Sequence, residues 1–193
     1  MESDRPAPTN AYGRTKHHAE QAVLAACPRS LVIRTAAFFG PWDVHNFAHQ
    51  VLHRLRDGQH VAAAANQVVS PTYVLHLVEH ALDRLVDDER GLWHLTNCGA
   101  VSWADFARRL AHASGLPAAL VMAVPGASLG HMAARPPYTA LSSERGWITS
   151  SFDVAIAQYL HALAGAVTDG GQDDVTTDHG LHALTPELEE AVR

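Results

Sequence analysis

Pro8-Thr9-Asn10-Ala11-Tyr12-Gly13-Arg14-Thr15-Lys16, followed after a short break by Leu31-Val32-Ile33-Arg34, is the stretch on which the fold turns. Pro8 interrupts regular structure and Asn10 is a good N-cap, so a helix is expected from there to about Ala26, ending before Pro28. Leu31 to Arg34 is short, apolar and rich in β-branched residues, as in a strand buried on both faces of a parallel sheet. A helix leading into such a strand is the repeating unit of a doubly wound α/β fold. Tyr12 and Lys16 stand four residues apart at the start of the helix and so share one face. A phenol ordinarily loses its proton near pH ~10, and an adjacent ammonium that stabilises the phenolate makes it usable as an acid or base nearer neutrality. That chemistry suits reduction of a carbonyl. The same pattern on its own also describes an ordinary helix start with an aromatic staple and a solvated lysine.

The α/β pattern continues downstream. Phe47, Val51, Leu52 and Leu55 recur at helical spacing, and Gly58 is a suitable stop. Val61 to Ala64 reads as a strand, and Thr72 as the cap of a helix carrying Val74, Leu77, Val78, Ala81, Leu82 and Leu85. Leu92 to Leu95 reads as another strand. Ser102 and Asp105 form a shortened capping arrangement before a helix that ends at Gly115. Val121 to Val124 is expected at a sheet edge, and Ser151 opens a last helix to about Leu163. From Gly165 the chain turns polar and glycine-containing, which divides it into a globular part, 1–164, and a tail, 165–193, expected to be disordered apart from a helical turn near Thr185-Pro186.

A chain of 193 residues with 47% hydrophobic and 18% charged residues is of globular composition and long enough for one core. Its formal net charge of -6 argues against a nucleic-acid polymer as partner. No apolar run approaches the ~20 residues that span a bilayer, and the N-terminus has no signal-peptide core, so no membrane is expected and a cytoplasmic location is. Cys27 and Cys98 are too few for a disulfide framework and read as buried thiols. His45, His49 and His53 are spaced by four, as are His76 and His80, but no His-Glu-x-x-His pattern accompanies them, and no metal is expected.

Further segments fall in a fixed order: Glu20-Gln21-Ala22-Val23, Phe38-Phe39-Gly40, Asn46-Phe47, Asn66-Gln67-Val68-Val69-Ser70-Pro71-Thr72, Gly91-Leu92-Trp93-His94-Leu95, Val101-Ser102-Trp103-Ala104-Asp105-Phe106-Ala107 and Arg135-Pro136-Pro137-Tyr138-Thr139-Ala140-Leu141. Together with the Tyr12 to Lys16 segment, they resemble the extended short-chain dehydrogenase/reductase superfamily, and within it the dTDP-4-dehydrorhamnose reductase family of nucleotide-sugar reductases. The resemblance runs from Pro8 to about Leu163. It implies the C-terminal part of a doubly wound, Rossmann-like parallel sheet with a small α/β substrate-binding lobe. Such reductases open with a strand, a glycine-rich turn and a helix whose N-terminus holds the dinucleotide pyrophosphate. No such unit occurs here, and the Ser or Thr that completes the family's site lies upstream of the tyrosine, where Ser3 and Thr9 have no strand to carry them. The expectation is therefore a C-terminal portion without its main cofactor-binding half, binding NADPH or NADH weakly or not at all by itself and associating with a second copy or with a separate cofactor-binding half.

The resemblance also assigns roles. Tyr12 donates a proton to a sugar ketone while hydride arrives from NADPH or NADH, and Lys16 assists Tyr12 and hydrogen-bonds the nicotinamide ribose. Thr35, Ala36 and Ala37 contact the cofactor. Arg34, Asn46, Ser70, Thr72 and Arg135 fall on the side of a nucleotide-linked 4-keto-6-deoxy sugar, with Arg135 offering a bidentate fork to the diphosphate. Arg34 has a competing role as a structural ion pair. Gln67 is expected to orient the turn before Ser70-Pro71, and Trp103 to belong to the core. The rival functions are a nucleotide-sugar-binding or regulatory module without turnover, and a sugar-nucleotide epimerase or dehydratase sharing Tyr-x-x-x-Lys.

Overall fold

In the computed structural model, which describes residues 1–133, 135–146 and 148–169, the first helix runs Ala11–Ala26 (α1), with Asn10 as its N-cap accepting from the Gly13 N–H at 2.8 Å. After it come β1 (Leu31–Arg34), β2 (Phe38–Phe39), α2 (Phe47–Arg56), β3 (Val61–Ala64), β4 (Val68–Val69), β5 (Thr72–Tyr73) and α3 (Val74–Val86). Then follow β6 (Gly91–His94), β7 (Asn97–Cys98), β8 (Val101–Ser102), α4 (Trp103–Ala113), β9 (Val121–Val124), β10 (Ile148–Ser151) and α5 (Phe152–Asp169).

β1 pairs with β6 in parallel, Leu31 opposite Gly91 and Arg34 opposite His94. The two strands are far apart in sequence, so a crossover joins them, as in α/β folds. β3 with β9, β2 with β5 and β10 with β7 are also parallel, whereas β4 and β8 run antiparallel. Residues 137–139 extend the last pair: the Val68 N–H donates to Pro137 O at 2.9 Å and the Thr139 N–H to Val68 O at 2.8 Å.

Two apolar clusters organise these elements. The larger gathers Phe39, Val51, Leu52, Leu55, Tyr73, Phe106, Leu110, Phe152 and Tyr159 from α2, α4, α5 and the short strands between them. Phe39 lies at its centre, with Tyr159, Phe106 and Phe152 approaching edge-on at 5.5, 5.4 and 6.2 Å, the arrangement that aligns positive ring edges with negative faces. Trp103 packs on Phe47 at 4.7 Å, the expected core role. The smaller cluster is Trp93 and Leu95 with Leu31, Ile33, Leu77 and Ala81, which seats α3 on the β1–β6 pair. α1 lies against β1 with partly buried side chains such as Glu20 but none fully buried.

Some local expectations need correction. Thr72 does not cap α3: it lies in β5, its hydroxyl donates to Ser70 O at 3.3 Å, and Tyr73 is the N-cap without any side-chain bond. α5 continues past Leu163 to Asp169, since nothing before Asp169 breaks the helix. Cys27 and Cys98 are exposed rather than buried. The helical turn expected near Thr185-Pro186, and the tail from residue 170 onward, lie outside the described residues.

Candidate active site

Tyr12, Lys16 and Glu20 follow one another at four-residue spacing along α1, so they form a line on one broad face. Glu20 fixes that line against the sheet. Both of its oxygens receive the Arg34 guanidinium, Nε at 2.8 Å and Nη2 at 2.7 Å, at the end of β1. Because α1 runs antiparallel to β1, going back from Glu20 towards Asn10 leads past the C-terminal end of the strand. Eight residues at 1.5 Å each place Tyr12 about 12 Å farther along. Tyr12 thus overhangs the edge where open α/β sheets hold their ligands. Tyr12 is 62% exposed, and Lys16 Nζ stands 5.6 Å from its ring centroid.

The Arg34–Glu20 pair belongs to a longer polar chain. Hydrogen bonds from Arg34 hold the Glu20 carboxyl below the ordinary carboxylate range, against the opposing effect of burial, and the same contact raises Arg34. His17 Nδ1 adds a contact to Glu20 at 3.4 Å. On the other side, Arg34 Nη1 faces His94 Nε2 at 3.4 Å, while His94 Nδ1 meets Ser142 O at 2.9 Å. A carbonyl only accepts, so Nδ1 carries the hydrogen and Nε2 receives the guanidinium. The His94 N–H donates to Glu2 Oε1 at 2.9 Å, and Ser143 Oγ and the Glu144 N–H also donate to Glu2. Burial works against the Glu2 carboxylate, but these donors outweigh it and bring its pKa to about 2. The N-terminal residues are thereby tied across the same end of the sheet as α1.

Arg34, assigned to the substrate side by resemblance, directs its fork at Glu20, the contact that the competing structural role calls for. Asn46 is also committed internally: it caps α2 by accepting from the His49 N–H at 3.0 Å, and its amide donates to Gly40 O at 2.9 Å and to Asp43 O. Ser70 and Thr72 are fully buried. Ser70 Oγ donates to Gly99 O at 3.0 Å and accepts from the Leu141 N–H at 3.1 Å, which fastens the segment that follows Arg135. Thr35 Oγ1 reaches Thr72 Oγ1 at 3.4 Å, and Ala37 O accepts the Thr72 N–H at 3.1 Å. Ala37 has φ 47°, a left-handed conformation uncommon outside glycine, so β1 leads into a sharp bend lined by the small side chains of Ala36 and Ala37. Arg135 lies exposed just before the strand-like residues 137–139.

Gln67 packs elsewhere than on the turn before Ser70-Pro71, where it was expected. Its side chain lies against Gly126, so close that a Cβ there would meet Nε2 at 2.3 Å, and Asn66 Oδ1 accepts the Gly126 N–H at 2.8 Å. Glu2, Glu20 and His94 were assigned no role in the sequence. Glu20 had a signal in its spacing of four from Lys16; Glu2 and His94 had none, because their partners are distant in the chain.

Among the described residues, the arrangement offers groups suited to one end of a nicotinamide dinucleotide. Tyr12, Lys16 and the bend at Thr35–Ala37 offer a phenol, an ammonium and open backbone beyond a strand end. For the pyrophosphate, a glycine-rich turn between strand and helix is required, and among the described residues none is present: the loop from β2 to α2 holds the single glycine Gly40, and α3, α4 and α5 each follow a strand directly, with Tyr73, Ser102 and Ser151 at the joins. Among the described residues, no three His, Cys, Asp or Glu side chains converge as a metal site, and no helix is long and apolar enough to cross a membrane.

The comparisons with known proteins agree with this geometry. A dTDP-4-dehydrorhamnose reductase of Mycolicibacterium smegmatis is 39% identical over 175 residues, covering 86% of this chain and 53% of its own length. The Escherichia coli enzyme of the same name is 31% identical, covering 75% of this chain and 52% of its own. The solved structure of a dTDP-4-dehydrorhamnose reductase from Bacillus anthracis in complex with NADP superimposes with a TM-score of 0.78 at 25% identity, over 83% of this chain and 58% of that one. This chain therefore spans little more than half the length of the relatives it matches. The sequence profile described as "RmlD substrate binding domain" matches residues 1–170, and the chain belongs to that family.

Proposed function

We propose that this chain is the substrate-binding, proton-donating part of an NAD(P)H-dependent, cytoplasmic reductase of a nucleotide-linked 4-keto-6-deoxy sugar, with a folded unit that runs from the N-terminal residues to the end of α5 and β1–β6 as part of a doubly wound sheet. The observation that carries it is the line Tyr12–Lys16–Glu20, anchored on Arg34 so that the phenol stands beyond the end of a parallel strand. When bound, a reduced nicotinamide supplies hydride to the ketone carbon. Tyr12 Oη donates a proton to the ketone oxygen as negative charge develops there, and Lys16 stabilises the resulting phenolate. Thr35, Ala36 and Ala37 leave room for the cofactor at the bend, and Arg135 grips the diphosphate. Arg34, Asn46, Ser70 and Thr72 act behind these groups: Arg34 sets the height of α1, Asn46 shapes the loop after β2, and Ser70 with Thr72 fixes the segments that carry Ala37 and Arg135.

A second reading has its own support. The matched family is described as a substrate binding domain, which suits a nucleotide-sugar-binding module that turns nothing over alone. Joining this chain to the part of the Mycolicibacterium smegmatis relative that it does not match, and following nicotinamide absorbance with a dTDP-4-keto-6-deoxy sugar, tests the proposal. Substrate-dependent oxidation of NADPH or NADH is expected. If the joined protein folds and binds both ligands without any oxidation, the binding module is the correct reading.

A further inference from the structure

α2 carries a pair of imidazoles that the proposed reaction does not use. His49 and His53 stand four residues apart on the helix, and their rings lie beside each other with centroids 6.5 Å apart and planes tilted by 34°. The His53 side chain is 66% exposed. Among the described residues, neither ring nitrogen of His49 has a hydrogen-bond partner.

The end of the helix prepares His53 for a cation. Asp57 is the C-cap, its N–H bonded to His53 O at 3.1 Å, and Gly58 at φ 69° turns the chain away behind it. That turn holds Asp57 Oδ2 at 3.2 Å from His53 Nδ1. A carboxylate only accepts, so Nδ1 carries the hydrogen and Nε2 keeps its lone pair. A carboxylate behind an imidazole is the arrangement that orients metal-ligating histidines and raises their basicity. At the other end of the helix, Asn46 Oδ1 accepts the His49 N–H at 3.0 Å, which fixes the turn that carries the second ring.

The other histidines at this spacing are not open in the same way. His76 is buried, with Nδ1 at 2.9 Å from Asn97 Nδ2 and Nε2 against Gln158 Oε1, so both nitrogens are engaged and none is left to share an ion with His80. His45 precedes the first helical residue, Phe47, so the helical spacing that aligns His49 with His53 does not extend to it.

We infer that His49 and His53 chelate one divalent transition-metal ion of the Ni²⁺, Cu²⁺ and Zn²⁺ class on the surface of α2, with Asp57 orienting His53 and water completing the coordination. Two imidazole nitrogens at ~2.0–2.1 Å from a common ion place their ring centroids about 5 Å apart. The rings close from 6.5 Å to that separation by side-chain rotation, for which exposed His53 has room. Nitrogen donors select these ions over Mg²⁺ and Ca²⁺, which take oxygen. Two imidazoles fall short of the three converging side chains of a closed centre, which are absent among the described residues, so the ion exchanges with solution. The pair is aligned only while α2 is helical. A bound ion therefore staples the turns after Asn46, and with them the loop that Asn46 ties through Gly40 O and Asp43 O.

Calorimetric titration of the full chain with NiCl₂ at neutral pH tests this. One ion per chain is expected, with a Kd of about 1–100 μM. His49→Gln and His53→Gln are each expected to weaken binding by ~10-fold or more, and Asp57→Asn by about 10-fold, whereas His45→Gln and His80→Gln leave it unchanged. Circular dichroism identifies any variant that fails to fold. Paramagnetic broadening of the histidine ring signals at substoichiometric Ni²⁺ is the second measurement, independent of any substitution, and is expected first at His49 and His53. No saturable binding in that range, or an affinity unchanged in folded His49→Gln and His53→Gln, overturns the site. Broadening that begins at other histidines overturns it as well, and an unchanged affinity in Asp57→Asn overturns the part given to Asp57.

Discussion

At the scale of single residues, the Arg34–Glu20 pair sets the site. Its bidentate geometry and partial burial give it more weight than a solvated surface pair. Glu20→Gln leaves Arg34 half-buried with a weaker partner, and a loss of about 1–3 kcal/mol in unfolding free energy is expected by denaturant titration. The pH dependence has a definite sign. The folded-state pKa of Glu20 is depressed, so its contribution is present above the unfolded value of ~4.3 and is lost as pH falls through the folded value. Glu2 behaves likewise, its contribution fading as pH drops towards about 2. The unsubstituted chain should therefore lose stability more steeply below pH ~4.5 than Glu20→Gln does, when both are melted across that range. Parallel profiles would remove Glu20 from the account.

At the scale of elements, α1 needs help from its ends, because none of its side chains is fully buried. Asn10 supplies the cap, so Asn10→Ala should cost about 1 kcal/mol and fray the turn that carries Tyr12, seen as faster hydrogen exchange at Gly13 and Arg14. The longer elements were legible in the sequence because each has a local cause: Asn10 and Ser102 cap α1 and α4, Gly58 turns the chain after α2, and Leu31–Arg34 has the composition of a parallel strand. The two-residue strands β2, β4, β5, β7 and β8 were not, since a period needs more residues than they contain. Thr72 misled for the same reason. It has the chemistry of a cap, but Thr35, Ala37 and Ser70, all remote or irregular, determine what it bonds. Of the candidate site, Tyr12 and Lys16 could be picked out because they share a helix face. The roles of Arg34 and Asn46 depend on Glu20 and the Gly40–Asp43 loop, which only folding brings to them.

At the scale of the whole molecule, the proposed function gives the chain one side of a reaction centre. Tyr12, Lys16 and the Thr35–Ala37 bend stand at the end of β1, and the pyrophosphate cradle is missing among the described residues. Titrating the isolated chain with NADPH, followed by nicotinamide fluorescence, should accordingly show no saturation in the micromolar range typical of enzyme ligands. Saturation there would locate a cradle outside the described residues. The central claim, that Tyr12 is the proton donor with Lys16 as its electrostatic partner, is tested most directly by turnover in the joined protein with Tyr12→Phe, which keeps the ring and removes the transferable proton. A fall in kcat of ~10²–10⁴-fold, with substrate binding retained, is the predicted result. Turnover near that of the unsubstituted joined protein would contradict the mechanism.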